Sequence, residues 1–229
     1  MRAPTLALAA LVAGLLLLAP HDAPARSHGL SFLRGAGEKG SGKLVTHDIE
    51  TGAFDRVVLD GSVDVFVTAG GNRSVKATLD DNLFANFEAK VEDGALHLDW
   101  KENCRPDKKC RVDIDLSDLK GFTVNGSGDV DISGLHGGDL ELRIHGAGDL
   151  TATGKVDALD IGVSGAGDID AADLIAQEVS ITVSGAGDAK VHAVRSLDAS
   201  VSGVGDIEYA GDPPQKTTHV SGVGSIHKR

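Results

Sequence analysis

From Phe54 onward, apolar and polar residues alternate with a period of two, the pattern of a strand with one face buried. Val63, Val65 and Val67 alternate with Asp64 and Phe66, and Val112, Ile114 and Leu116 alternate with Asp113 and Asp115. Within Val91-Glu-Asp-Gly-Ala-Leu96 an Asp-Gly pair separates two such runs, which predicts a tight hairpin. No stretch sustains a helical period. Single turns are expected near Asn82 to Phe87 and near Ala171 to Ala176.

In the second half the alternation is interrupted at one fixed place, six times over. Gly126, Gly146, Gly165, Gly185, Gly203 and Gly222 each open a Gly-small-Gly triplet, at intervals of 20, 19, 20, 18 and 19. Two residues before each stands a β-branched residue: Val124, Ile144, Val163, Val183, Val201 and Val220. Four before stand Phe122, Leu142, Ile161, Ile181, Ala199 and Thr218; four after stand Val130, Leu150, Ile169, Ala189, Ile207 and Ile226. A fixed corner between strands, repeated without helix, predicts a β-solenoid with coils of 18–20 residues and Gly-x-Gly-Asp corners. An antiparallel sandwich would not need the same corner in every second strand. The glycines are expected to allow a sharp bend closed to residues with a Cβ. The small residue between them (Ser127, Ala147, Ala166, Ala186, Val204, Val223) is expected to face inward.

The residue after the second glycine is Asp129, Asp149, Asp168, Asp188, Asp206 and finally Ser225. Stacked coils lie roughly 4.8 Å apart, where neighbouring carboxylates repel by roughly 0.9 kcal/mol in water. That cost is offset if each carboxylate accepts backbone N–H groups at its own turn. The alternative is a divalent cation such as Ca²⁺ held between rungs by Asp129, Asp149, Asp168, Asp188 and Asp206. Calcium-binding β-rolls use a nine-residue period with Asp one place later, so turn capping is the favoured reading, with no cofactor or metal.

Residues 1–25 read as an export signal. Arg2 precedes 14 apolar residues, Leu6 to Ala19, and Ala23-Pro24-Ala25 offers small residues at a cleavage site. The run is short for a bilayer span, so no membrane span is expected after cleavage. Residues 26–50, with Arg34-Gly-Ala-Gly-Glu-Lys-Gly-Ser-Gly-Lys43, read as a flexible Gly/Ser-rich segment, and 51–229 as the solenoid domain. In an oxidising compartment Cys104 and Cys110 are expected to form a structural disulfide across a hairpin tip. A zinc site would want more Cys or His at short spacing.

Composition narrows the function. There are 22 Lys+Arg against 34 Asp+Glu, a net charge of −12, which excludes a phosphate-neutralising nucleic-acid surface. Glycine, at 30 of 229 residues, is about twice its usual share. Trp100 and Tyr209 are the only residues of their kinds, so an aromatic-lined sugar groove is not expected. The column Ser164, Ser184, Ser202 and Ser221 marks no single nucleophile, and His145 stands in that column too. No pair among the acids stands out for general acid–base work. Pro213-Pro214 and the basic His227-Lys228-Arg229 tail are candidates for capping the last coil against edge pairing.

From about Gly52 to Arg229 the chain resembles the exported bacterial family called putative auto-transporter adhesin, head GIN domain. The residues that carry the likeness are Phe54-Asp-Arg-Val-Val-Leu-Asp-Gly-Ser-Val-Asp-Val-Phe-Val67, Gly70-Gly71, Asp80-Asp-Asn-Leu83, Val91-Glu-Asp-Gly-Ala-Leu-His-Leu98 and the Gly-x-Gly-Asp coils. The resemblance implies an all-β, right-handed parallel β-helix and an adhesion role. Two departures stand against it: Gly-Ile-Asn occurs nowhere, and no outer-membrane barrel precedes Arg229, so self-transport is not expected. The resulting expectation is a non-catalytic, exported cell-envelope module, periplasmic or on the cell surface, that binds an unknown envelope protein or glycan. The alternatives are a glycan-acting β-helix enzyme and a Ca²⁺-stabilised structural element.

Overall fold

The computed structural model describes residues 37–229; the export signal expected at residues 1–25 lies outside them. Part of the stretch read as a flexible segment is strand. β1 (Glu38–Lys39) and β2 (Leu44–Asp48) lead into β3 (Arg56–Leu59) and β4 (Asp64–Ala69), which form the first two sides of a coil. The chain then leaves the coil. β5 (Ser74–Asp80) is followed by a 3₁₀ turn at Phe84–Asn86, where the sequence predicts a turn. β6 (Phe87–Glu92) and β7 (Ala95–Trp100) form the predicted hairpin, with Asp93 and Gly94 both at positive φ (48° and 81°), as a two-residue turn of this hand requires.

β8 (Cys104–Arg105) and β9 (Arg111–Leu116) complete this excursion, after which β10 (Gly121–Val124) and β11 (Val130–His136) return to the solenoid. β12 (Asp139–Ile144), β13 (Leu150–Val163), β14 (Ile169–Val183), β15 (Ala189–Val201), β16 (Ile207–Ala210), β17 (Gln215–Val220) and β18 (Ile226–Lys228) add the remaining rungs in parallel register. The Ala171–Ala176 stretch, expected as a turn, is strand in β14 with a register shift beside β15, so the coil absorbs its extra residues as a bulge.

The apolar columns read along the repeat are the stacked columns of the core. Phe122, Leu142, Ile161, Ile181, Ala199 and Thr218 are partners rung to rung, as are Val130, Leu150, Ile169, Ala189, Ile207 and Ile226. From the second to the fifth rung these residues are at most 1% exposed. The columns also continue where the repeat is not visible. Val57 and Leu59 stack on Phe122 and Val124, and Leu96 and Leu98 stack on Val57 and Leu59. β7 and β9 therefore make a rung beneath β3 and β4, although they follow them in the chain.

The two ends are finished differently. At the N-terminal end, β6 pairs antiparallel with β7, and β5 antiparallel with β9 and β2, so the parallel ladder stops. At the other end the last rung places Lys216 in the column of Leu197, Thr218 in that of Ala199 and Lys228 in that of Tyr209. The Lys216 ammonium donates to the Tyr209 hydroxyl at 2.9 Å, folding over the end of the core. Inward-pointing charge on an edge strand opposes pairing with another edge. Pro213-Pro214 lies instead in the connection between β16 and β17, so it shapes a turn and does not cover the edge.

Candidate functional site

The corner column is built between rungs. A Cβ at Gly146 would press on the carbonyl oxygen of Gly126, and one at Gly165 on that of Gly146. Close approach of stacked backbones, not a positive φ, is what requires the first glycine. The intervening residue faces solvent, contrary to the inward placement expected of it: the glycines flanking Ala147, Ala166 and Ala186 are half-buried while those alanines are exposed, and Val204 and Val223 are 58% and 72% exposed.

The carboxylates of Asp149, Asp168, Asp188 and Asp206 each reach to a neighbouring rung. The Asp168 amide donates to Asp149 Oδ1 (3.1 Å), Asp188 to Asp168 (2.7 Å) and Asp206 to Asp188 (2.8 Å). Capping is thus inter-rung, where the sequence suggests each aspartate serves its own turn. Ser225 ends the ladder by donating both its amide (2.6 Å) and its hydroxyl (2.8 Å) to Asp206 Oδ1. The Ser225 hydroxyl, helped by the amide, holds the Asp206 carboxyl below the usual carboxylate range. Asp129 belongs to the same ladder, donating its amide to Asp64 Oδ1 at 3.2 Å. Asp64 closes a seventh corner, Gly61-Ser-Val-Asp64, missed by sequence reading because Val63 replaces the second glycine. The signal was present in the Val57-x-Leu59 pair that precedes it. Val63 is tolerated because the rung beneath has no tight corner to stack on it. Among the described residues no three His, Cys, Asp or Glu side chains converge on a common point.

That rung turns its corner through Lys101 to Cys110. Cys104 is half-buried in β8 and Cys110 is buried; the expected bond does not join them in this structure, and burial pushes the titration of both thiols up. The segment joins two strands of one rung, so it is a corner loop and not the hairpin tip expected. Asp80, fully buried at the end of β5, holds this loop and the N-terminal segment together. Its Oδ1 accepts from the Gly42 amide (2.7 Å) and its Oδ2 from the Asp107 amide (2.9 Å). Asn82 accepts the Ser41 amide and donates to the Lys39 carbonyl, and β1 pairs with β8. The Asp80-Asp-Asn-Leu83 motif is therefore a clamp.

Where the wide corner meets the first tight one, a notch of about 580 Å³ opens, lined by Asp60, Ser62, Asp99, Trp100, Glu102, Asn103 and Ser127 among others. The indole of Trp100 is held in place: its Nε1 donates to the Ser62 carbonyl at 3.2 Å and Phe87 packs edge-on at 5.1 Å. Asp60 is fixed behind it by Asn125 (2.7 Å) and His97 (2.9 Å). A second concavity, about 410 Å³, lies on the solenoid flank among Asp160, Glu178, Ser180, Asp198 and Thr217, with no aromatic side chain. Ser184 donates to the Val163 carbonyl (3.3 Å), while the Ser164 hydroxyl lies 2.7 Å from His145 Nδ1, an imidazole that no carboxylate among the described residues contacts. No helix among the described residues is long and apolar enough to cross a membrane.

These features define a β-solenoid module whose corners are stitched by glycine contacts and aspartate–amide bonds, with an elaborated rung at one end. The chain belongs to the putative auto-transporter adhesin, head GIN domain family, whose model matches residues 53–213. It is similar to a crystal structure of a "putative adhesin" from Bacteroides fragilis NCTC 9343, at 28% identity and TM-score 0.65 over 84% of this chain and 100% of that one. It also shares the fold of a "putative lipid binding protein" from Parabacteroides distasonis ATCC 8503, at 23% identity and TM-score 0.50 over 85% of this chain and 100% of that one. No curated protein matches the chain.

Proposed function

We propose that the protein is an exported, non-catalytic interaction module of the cell envelope with an adhesin-like role. The observation that carries this reading is the likeness to the Bacteroides fragilis putative adhesin over that structure's whole length. The geometry supports it: parallel rungs stacked strand on strand present outward rows of side chains at the spacing of the ladder. The aspartate column supports a structural role, since one oxygen of each of Asp149, Asp168, Asp188 and Asp206 is taken by a neighbouring rung. The 14-residue apolar run and Ala23-Pro24-Ala25 support export.

The test is protease shaving of intact cells, paired with attachment of wild-type and deletion strains to a glycan-bearing surface. Loss of the protein on shaving, with weaker attachment of the deletion strain, is the expected result. Survival of the protein until the outer membrane is opened, with unchanged attachment, would overturn the adhesin role.

A further inference from the structure

We infer that the notch at Trp100 is a binding site for a neutral oligosaccharide. The inference rests on the interaction-module reading and supplies it with a ligand class and a place. Three observations carry it. The notch, at about 580 Å³, falls within the usual range of small-molecule sites. Its one aromatic wall is immobilised, with the indole N–H committed to the Ser62 carbonyl and Phe87 against an edge. A pinned indole offers an apolar surface to the C–H face of a pyranose at little entropic cost.

The polar groups around it match a polyol. The Asp99 carboxylate gives one oxygen to the Trp100 amide, and its other oxygen has no partner among the described residues. The side chains of Glu102 and Asn103 stand exposed beside it. Carboxylates accept from sugar hydroxyls, and an amide both donates and accepts, so vicinal hydroxyls can be held in pairs. Charge chooses among sugars: Asp60, Asp99 and Glu102 face a single cation, Lys101, which disfavours uronic and sialic acids. The flank concavity has comparable acids but no aromatic wall, so it lacks the apolar half of the recognition.

Trp100 is the chain's sole tryptophan, so its emission reports directly on the site. The purified protein is titrated with cellotriose, chitotriose, mannotriose and maltotriose, with trigalacturonate as the anionic counterpart. At least one neutral trisaccharide should shift the emission saturably, and trigalacturonate should not. Asn103→Ala and Glu102→Gln, both exposed and outside the core, should each weaken binding about fivefold to tenfold. Arg195→Ala, which lies outside the notch, should leave it unchanged. Calorimetry on the same variants guards against a shift caused by misfolding. If all four neutral sugars leave emission and heat unchanged, the site assignment is wrong, even where shaving and attachment bear out the adhesin role. Preference for trigalacturonate overturns it too. Sugar binding at Trp100 without any effect on attachment would sink the adhesin role and leave the site standing.

Discussion

The backbone amide of Asp188 donates to the Asp168 carboxylate across one rung at 2.7 Å, so a side chain of one coil completes the backbone bonding of the next. Such a bond stabilises stacking directly, and its loss exposes an unpaired amide at the corner. Asp168→Ala should cost about 1 kcal/mol, lowering Tm by about 2–4 °C, while Asp168→Asn, which keeps the acceptor, should cost less. Thermal melts decide this. Millimolar Ca²⁺ or EDTA should barely move the same curve; a large upward shift with Ca²⁺ alone would reinstate a metal role for the column.

Asp206 gives the pH dependence its sign. The Ser225 hydroxyl and amide favour its ionised form, so its pKa is lower folded than unfolded. The stabilisation is present above the unfolded value and is lost as pH falls through the folded one, in the acid range below about 4. Ser225→Ala should raise the Asp206 pKa toward its ordinary value. Carboxyl chemical shifts followed against pH give the answer directly.

Substitution at adjacent corner positions should have opposite outcomes. A Cβ at Gly165 meets the Gly146 carbonyl oxygen, a backbone atom that cannot swing aside. Gly165→Ala is expected to cost about 3 kcal/mol or more. Ala166→Ser, one residue on and exposed, should change stability by no more than about 0.5 kcal/mol. Equal effects in denaturant melts would contradict the stacking argument.

Asp80 should behave as a pin. Asp80→Ala leaves the amides of half-buried Gly42 and exposed Asp107 without their acceptor, at about 1 kcal/mol for each lost bond. Residues 38–43 should then become accessible to limited proteolysis before the rest of the domain. Unaltered cleavage kinetics would remove Asp80 from that role.

Oxidation of Cys104 and Cys110 is the disulfide expectation in testable form. Closing so short a loop is worth about 2 kcal/mol in the chain-entropy model. Protein recovered from an oxidising compartment should lack two hydrogens by mass and melt higher than after reduction. A full complement of thiols there would dismiss the bond.

Much of the architecture was legible from local chemistry. Alternation along a strand states which side chains share a face, and the return of Gly-small-Gly at 18–20 residues states that faces stack. The columns from Phe122 to Thr218 and from Val130 to Ile226 follow from those two facts alone. The site was less legible. Trp100 looked solitary because its neighbours in the notch, Asp60, Ser62 and Ser127, come from rungs separated along the chain.

The seventh corner shows why some of the order escaped. Val63 stands where other corners have glycine, and only the wide loop beneath it explains that choice. Likewise, nothing local places β7 and β9 under β3 and β4, since that order depends on pairing between Leu96 and Val57 and between Val112 and Val65. Period and composition determine strand, face and corner because those properties depend on neighbours in sequence. Rung order, the Asp80 clamp, the outward turn of the small corner residue and the notch at Trp100 depend on which backbones come into contact, and only the folded chain decides that.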